Sequence, residues 1–219
     1  RSETAARAGQ PLVGKRWLAP YLKGIWSGYG TAAGGIAPQA VSKPRPDVTA
    51  GACLRSGYAP VMKVPVTMAV RTLRNTGVDF VPHLYRYEPG GGAAAGAAAL
   101  GVDPHNVVKT LIMETEADDP MIVLMHGDRE VSTKNLARLI GCRRVRPCDP
   151  DVANRHSGYL VGGTSPFGTR RVMPVYAPAT LLEVPVAYVN GGKRGFLIEL
   201  PPASIGSVLD VTLGNITAE

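Results

Sequence analysis

Hydrophobic and polar positions divide the chain into two regimes. Over residues 1–61 the apolar residues keep no sustained period, and "TAAGGIAPQAVSKPRPDVTAGA" reads as irregular or disordered chain rich in Gly, Ala and Pro. From Met62 onward, short patterned segments succeed one another to the end. "TMAVRTLRNTG" predicts a helix, with Thr67 as N-cap, apolar Met68, Val70 and Leu73, and Gly77 as the stop. "VDFVPHLYRY" alternates as a strand. "AAAGAAALG" is helical by propensity and ends at Gly101. "NVVKTLIMET" and "PMIVLMHG" predict two strands across the acidic turn "EADDP". "STKNLARLIG" is a helix capped by Ser132 or Thr133 and stopped by Gly141. "RRVRPC" reads as a short strand, and "DPDVANRHSG" as a helix opened by Asp149 with Pro150 in its first position. "YLVGG", "RVMPVYA", "VAYVNGG" and "GFLIELP" predict four more strands, and "PASIGSVLD" a closing helix. Strands outnumber helices and the connections are mixed, which excludes both a βαβ repeat and a helical bundle. The expected fold is a mixed α/β (α+β) single domain around one curved sheet.

Composition sharpens this picture at three points. The 219 residues are 45% hydrophobic and 19% charged, an ordinary balance for a globular chain, and no apolar run reaches the 18 residues of a membrane span, so no membrane partner is expected. Cys53, Cys142 and Cys148 form no CxxC pair, which argues against a disulfide scaffold and fits a reducing, cytoplasmic compartment. His83, His105, His126 and His156 lack metal-ligand spacing, so neither a metal nor another cofactor is expected.

The net charge of +7 is unevenly placed. Residues 1–61 carry eight basic and two acidic residues; the other 16 basic and 15 acidic residues fall in 62–219. The first segment is thus expected to be an N-terminal extension, with the functional chain starting near Met62 and forming one domain over 62–219; a targeting peptide is the weaker alternative. Within that domain the basic residues cluster as Arg143–Arg144 with Arg146, as Arg170–Arg171 and as Lys193–Arg194. Each cluster alone suits a solvated face, whereas the three together suit a phosphate backbone.

Two features carry candidate chemistry. In "VVKTLIM" the two-residue period places Val107, Lys109 and Leu111 on one strand face and Val108, Thr110 and Ile112 on the other. A lysine in so apolar a strand must snorkel, pair with a carboxylate or line a polar pocket. In "YLVGGTSPFGTRR" two glycines end an apolar run and Pro166 stiffens the turn beyond them. Such a loop lets backbone N–H groups approach a carboxylate, a phosphate or the oxyanion of an ester, or serves only as a tight connection. It has neither the GK[ST] ending of a P-loop nor a GxGxxG spacing, and Ser165 stands in no GxSxG elbow. No conventional protein nucleophile is evident.

"VVKTLIM", "DPDVANRHSGYLVGGTSPFG" and "VAYVNGGKRGFLIEL" occur in the order and approximate spacing found in the YbaK-type aminoacyl-tRNA deacylases. The chain resembles that group, part of the prolyl-tRNA-synthetase-associated editing domain family, from about Lys63 to Ile216. The resemblance implies a barrel-like mixed sheet flanked by helices. It also implies a cytoplasmic trans-editing hydrolase that removes a wrong amino acid from the acceptor end of tRNA, with cysteinyl-tRNA(Pro) as the leading substrate and prolyl-tRNA synthetase as a further partner. An alanyl-tRNA(Pro) deacylase, or a domain that binds aminoacyl-tRNA or a synthetase without hydrolysis, are the alternatives. The family lysine matches Lys109, and the family GxxxP loop matches Gly162 to Pro166. Lys109 and Gly162 are thereby implied as catalytic, and Gly163, Thr164, Ser165 and Pro166 as substrate-binding. The family tyrosine matches Tyr85, or alternatively Tyr87. Arg143, Arg144, Arg170, Arg171, Lys193 and Arg194 would contact the acceptor stem. In the YbaK-like members the substrate's own thiol attacks its carbonyl, which would account for the missing nucleophile. The chain departs from the pattern at an aspartate whose position holds Pro178, with Glu183 the nearest carboxylate.

Overall fold

Caps and turns set the local structure of residues 64–218, which the computed structural model describes; the expectations for residues 1–61 and for a start near Met62 lie outside the described residues. Helix α1, Met68–Asn75, begins where the Thr67 hydroxyl accepts a hydrogen bond from the Val70 N–H, and buries Ala69, Val70 and Leu73. Helix α2, Gly92–Leu100, ends at Gly101 in the left-handed conformation. Helix α3, Thr133–Ile140, is capped by Ser132 and closed by a left-handed Gly141. Helix α4, Pro150–Ser157, has Pro150 in its first turn and Gly158 as its left-handed end. Helix α5, Ala203–Val208, is the last.

The strands are β1 Val81–Leu84, β2 Val107–Thr115, β3 Pro120–His126, β4 Val145–Pro147, β5 Val175–Ala177, β6 Ala187–Asn190, β7 Phe196–Leu200 and β8 Val211–Leu213. They form one mixed sheet in the order β1-β7-β6-β2-β3-β5-β8, with β4 attached to β2. The β2–β3 hairpin is its centre, and all seven residues of β3 are buried. Met113, Met121, Val123 and Met125 pack against Leu136 and Ala137 of α3. Val107, Tyr188 and Leu197 pack against Ala97 of α2. One sheet thus has helices laid on it, as the strand-rich pattern predicts.

The sheet corrects two expectations. "YLVGG" is not a strand: Tyr159–Gly163 is an irregular turn in which the Gly163 N–H donates to the Leu160 carbonyl. Tyr159 is held by its side chain instead, the hydroxyl donating to the Phe167 carbonyl at 2.7 Å. The strand expected in "VDFVPHLYRY" stops at Leu84, so Tyr85 and Tyr87 lie beyond it. The short strand β8 has no counterpart among the expected elements.

Strand β2 has two partners along one edge. At its start Val107 and Val108 pair with Tyr188 and Val189 of β6, in parallel. At its end Met113, Glu114 and Thr115 pair with β4, antiparallel, and the Cys148 N–H donates to the Ile112 carbonyl. Between these ladders Lys109, Thr110 and Leu111 have no strand beside them on that edge. The centre of the sheet therefore contains a window.

Candidate functional site

A cavity of about 400 Å³ occupies this window. Its wall includes β2 from Val107 to Met113, Pro147, Cys148 and α4 on one side, and Tyr85, Tyr87, Val161, Gly162, Thr164 and Asn190 on the other. Lys109 is the only charged side chain among the described residues that line it, and no carboxylate does. Among the described residues no group of His, Cys, Asp and Glu has metal-binding geometry.

Lys109 and Gly162 thus line the same cavity, though on different elements. The Lys109 ammonium donates to the Arg129 carbonyl in the turn after β3. Gly162 has φ of +86°, and a Cβ added there would meet the Tyr87 hydroxyl at 2.8 Å. The backbone conformation demands glycine, and an added Cβ would also displace the Tyr87 hydroxyl. The Gly162 carbonyl accepts from Asn190 Nδ2 at 3.2 Å, and Asn190 Oδ1 accepts from the Gly192 N–H at 2.9 Å. The "NGG" that ends β6 therefore fixes the glycine loop from beside it.

The remaining loop residues divide. Thr164 lines the cavity; Gly163, Ser165 and Pro166 are buried beneath it and are not part of its wall. The Ser165 hydroxyl, fully buried, accepts from the Phe167 N–H. A Cβ on Gly163 would meet the Arg194 nitrogen at 2.8 Å, so this glycine serves the contact between two turns. These three residues, expected to bind substrate, are packed beside the cavity wall rather than in it.

Both tyrosines line the cavity. Burial, then the neighbouring Tyr87, push the Tyr85 phenol above its usual range. Its ring lies against Gly96 of α2. Tyr87 stands at the glycine loop, with the Arg194 guanidinium 5.3 Å from its ring centre. Arg194 also donates from Nε to the Val161 carbonyl at 2.9 Å. Neither Pro178, which precedes a 3-10 turn at Ala179–Leu182, nor Glu183, which ends it, lines the cavity.

Cys148, Thr110 and Asn190 complete the wall, and the sequence pattern alone marks none of them as a site residue. The Cys148 thiol donates to Glu114 at 3.3 Å. Burial and that carboxylate push it up to about 12, which keeps it a neutral thiol and a poor nucleophile at neutral pH. Glu114, 7% exposed, is paired with Arg146 at 2.8 Å.

The basic clusters differ in their surroundings. Arg146 bridges Glu114 and Asp118, and the Arg143 and Arg144 N–H groups donate to the Glu116 carboxylate. Arg170 and Arg171 are exposed, with their N–H groups on the Ser157 and His156 carbonyls at the end of α4. Among the described residues no carboxylate lies within ion-pair distance of Arg170, Arg171, Lys193 or Arg194.

A mixed sheet opened at its central strand thus brings a lysine and a fixed glycine loop to one largely apolar cavity, the candidate site. The family model of the aminoacyl-tRNA editing domain matches residues 88–206, and the chain belongs to that family. EbsC of Enterococcus faecalis, named for a proposed Cys-tRNA(Pro)/Cys-tRNA(Cys) deacylase activity, is 29% identical over 123 residues, covering 56% of this chain and 75% of EbsC. The proline–tRNA ligase of Syntrophotalea carbinolica is 37% identical over 70 residues, covering 32% of this chain and 12% of the ligase. A solved structure described as a proposed trans-editing enzyme for prolyl-tRNA synthetase aligns with a TM-score of 0.60 and 21% identity, over 71% of this chain and 100% of that one. At that identity it shows the shared fold alone.

Proposed function

We propose that the chain is a trans-acting deacylase that hydrolyses the ester of misacylated tRNA, with cysteinyl-tRNA(Pro) as its substrate. The observation that carries this reading is the convergence of Lys109 and Gly162 on one cavity with no activated protein nucleophile in its wall. The family membership and the name given to EbsC support the reaction and the amino acid.

The geometry suits substrate-assisted chemistry. The aminoacyl group enters the window with its carbonyl oxygen toward Lys109 and the glycine loop, where an ammonium and backbone N–H groups stabilise the developing oxyanion. The cysteinyl sulfur attacks its own carbonyl carbon, a carbon–sulfur bond forms and the ester carbon–oxygen bond breaks. The thiol proton passes to the departing ribose oxygen, and water later opens the strained thiolactone. The protein supplies confinement and orientation, which suffice when nucleophile and electrophile belong to one molecule. Arg170, Arg171, Lys193 and Arg194 would hold acceptor-end phosphates without reading sequence. Prolyl-tRNA synthetase, which charges the tRNA, is the protein partner this reading implies, and the cytoplasm its compartment. Among the described residues no helix is long and apolar enough to cross a membrane.

The test is a turnover assay on cysteinyl-, alanyl- and prolyl-tRNA(Pro). Rapid loss of the cysteinyl ester, with prolyl-tRNA(Pro) spared, is the expected result. Preference for the alanyl ester would transfer the assignment to the alanine-specific kind. A folded protein that binds tRNA and cleaves none of the three would make it a binding module.

A further inference from the structure

Apart from the Tyr85 and Tyr87 hydroxyls, the polar side chains around the cavity can be accounted for one at a time. Lys109 donates to the Arg129 carbonyl, Asn190 is engaged at both ends, Thr164 reaches the Leu160 carbonyl at 3.5 Å, and Cys148 is tied to Glu114. Thr110 is different. Its Oγ1 is closed off from solvent and, among the described residues, is the only buried side-chain nitrogen or oxygen with no hydrogen-bond partner. Buried hydroxyls are nearly always satisfied, so an orphan in a cavity wall calls for a missing partner.

The backbone of Thr110 is in the same condition. Alternate residues of β2 turn their N–H and C=O groups to the same edge. Ile112 turns its carbonyl toward the β4 side, where it accepts from Cys148. Thr110, two residues earlier, faces that edge as well, at the point where pairing with β6 has ended at Val108 and pairing with β4 has not begun. One residue thus has a carbonyl and an N–H at the unpaired edge and, on its side chain, an orphan hydroxyl.

We infer that Thr110 contacts the substrate directly, its hydroxyl and carbonyl accepting hydrogen bonds from the α-amino group of the aminoacyl ester. The inference rests on the deacylase reading above and adds the element that reading lacks. Lys109 and the glycine-loop N–H groups are donors and suit the carbonyl. The amino group needs acceptors, and the wall has no carboxylate to provide them. Thr110 carries two unengaged acceptors side by side, a hydroxyl and a carbonyl, where Tyr85 and Tyr87 offer one phenol oxygen each. Rotation about its χ1 exchanges methyl and hydroxyl between staggered positions and turns Oγ1 to the ligand.

The experiment uses the full chain, its Thr110→Val and Thr110→Ser variants, and two hydrolysis-resistant probes. One is 3′-cysteinylamido-adenosine; the other is its des-amino counterpart, 3-mercaptopropionylamido-adenosine. Calorimetry should show Thr110→Val binding the amino-bearing probe about ten- to a hundred-fold more weakly than the parent, with the des-amino probe bound equally by both. Thr110→Ser should behave as the parent. The melting temperature of Thr110→Val should be unchanged or higher, because an unsatisfied hydroxyl is replaced by a methyl group. Undiminished binding by Thr110→Val, an equal loss for both probes, or no binding of either probe by the parent protein overturns the assignment. Deacylation of the tRNA substrates is measured in parallel. A parent protein that cleaves none of them yet shows the probe pattern sinks the deacylase reading and keeps Thr110. Cleavage without the pattern does the reverse.

Discussion

Two arginine clusters of similar composition have unlike surroundings. At the far end of β2 the Arg146 guanidinium is held between Glu114 and Asp118, while Arg143 and Arg144 give only backbone N–H groups to Glu116. Beside the glycine loop, Arg194 lies over Tyr87, and Lys193 is its neighbour in the chain. Arg170 and Arg171 come after the same loop in sequence, and none of these four has an ion-pair partner among the described residues. In sequence the clusters look interchangeable, because the carboxylates that neutralise Arg146 come from the end of β2 and the β2–β3 turn. A charge is available to a ligand only where the fold has left it unpaired.

The contrast is broken most severely through the glycine loop itself. Gly162→Ala introduces a Cβ at a φ of +86° and against the Tyr87 hydroxyl, and should lower deacylation by about a hundred-fold or more through misplaced N–H groups. Full single-turnover activity in this variant would remove the loop from the chemistry. A moderate effect is expected from the unpaired cations. Combined Arg170→Ala and Arg171→Ala changes should weaken tRNA binding and reduce the salt dependence of log K by about one for each phosphate no longer neutralised. The smallest effect is expected from the consumed guanidinium: Arg146→Ala should leave the salt slope unchanged, since Glu114 and Asp118 already hold that charge. A slope reduced by Arg146→Ala as well would erase the distinction between paired and unpaired charge.

What the sequence disclosed tracks the range of the interactions. Helix caps at Thr67 and Ser132 and left-handed ends at Gly101, Gly141 and Gly158 are local, and the structure has them where the pattern puts them. The alternation around Lys109 likewise locates β2, a central strand with neighbours on both edges. The run "YLVGG" misleads because apolar character is taken for burial: Leu160 and Val161 are exposed, and Tyr159, which is buried, is anchored by its hydroxyl to Phe167 in the next turn of the chain. Strand β8 is three residues long and carries too little pattern to register. The window in β2 is legible only from the pairing of β6 and β4, which reach it from far downstream, Tyr188 against Val107 and Cys148 against Ile112. Hence Thr110 and Asn190, ordinary residues in sequence, acquire their significance from partners that the fold supplies or withholds. Gly163 and Ser165 show the converse, since residues within a recognisable motif can serve the packing that holds it.

The central claim is that the window between β6 and β4 is where the ester is cleaved. Its most direct test is single-turnover deacylation of cysteinyl-tRNA(Pro) by the protein and by Lys109→Ala, with melting temperature and tRNA affinity measured on the same samples. The account predicts a loss of about a hundred-fold or more in the cleavage rate, with folding and tRNA binding little changed, because the ammonium acts on the reacting carbonyl. Cleavage by Lys109→Ala at the parent rate, or a loss matched by a large fall in melting temperature, would contradict it.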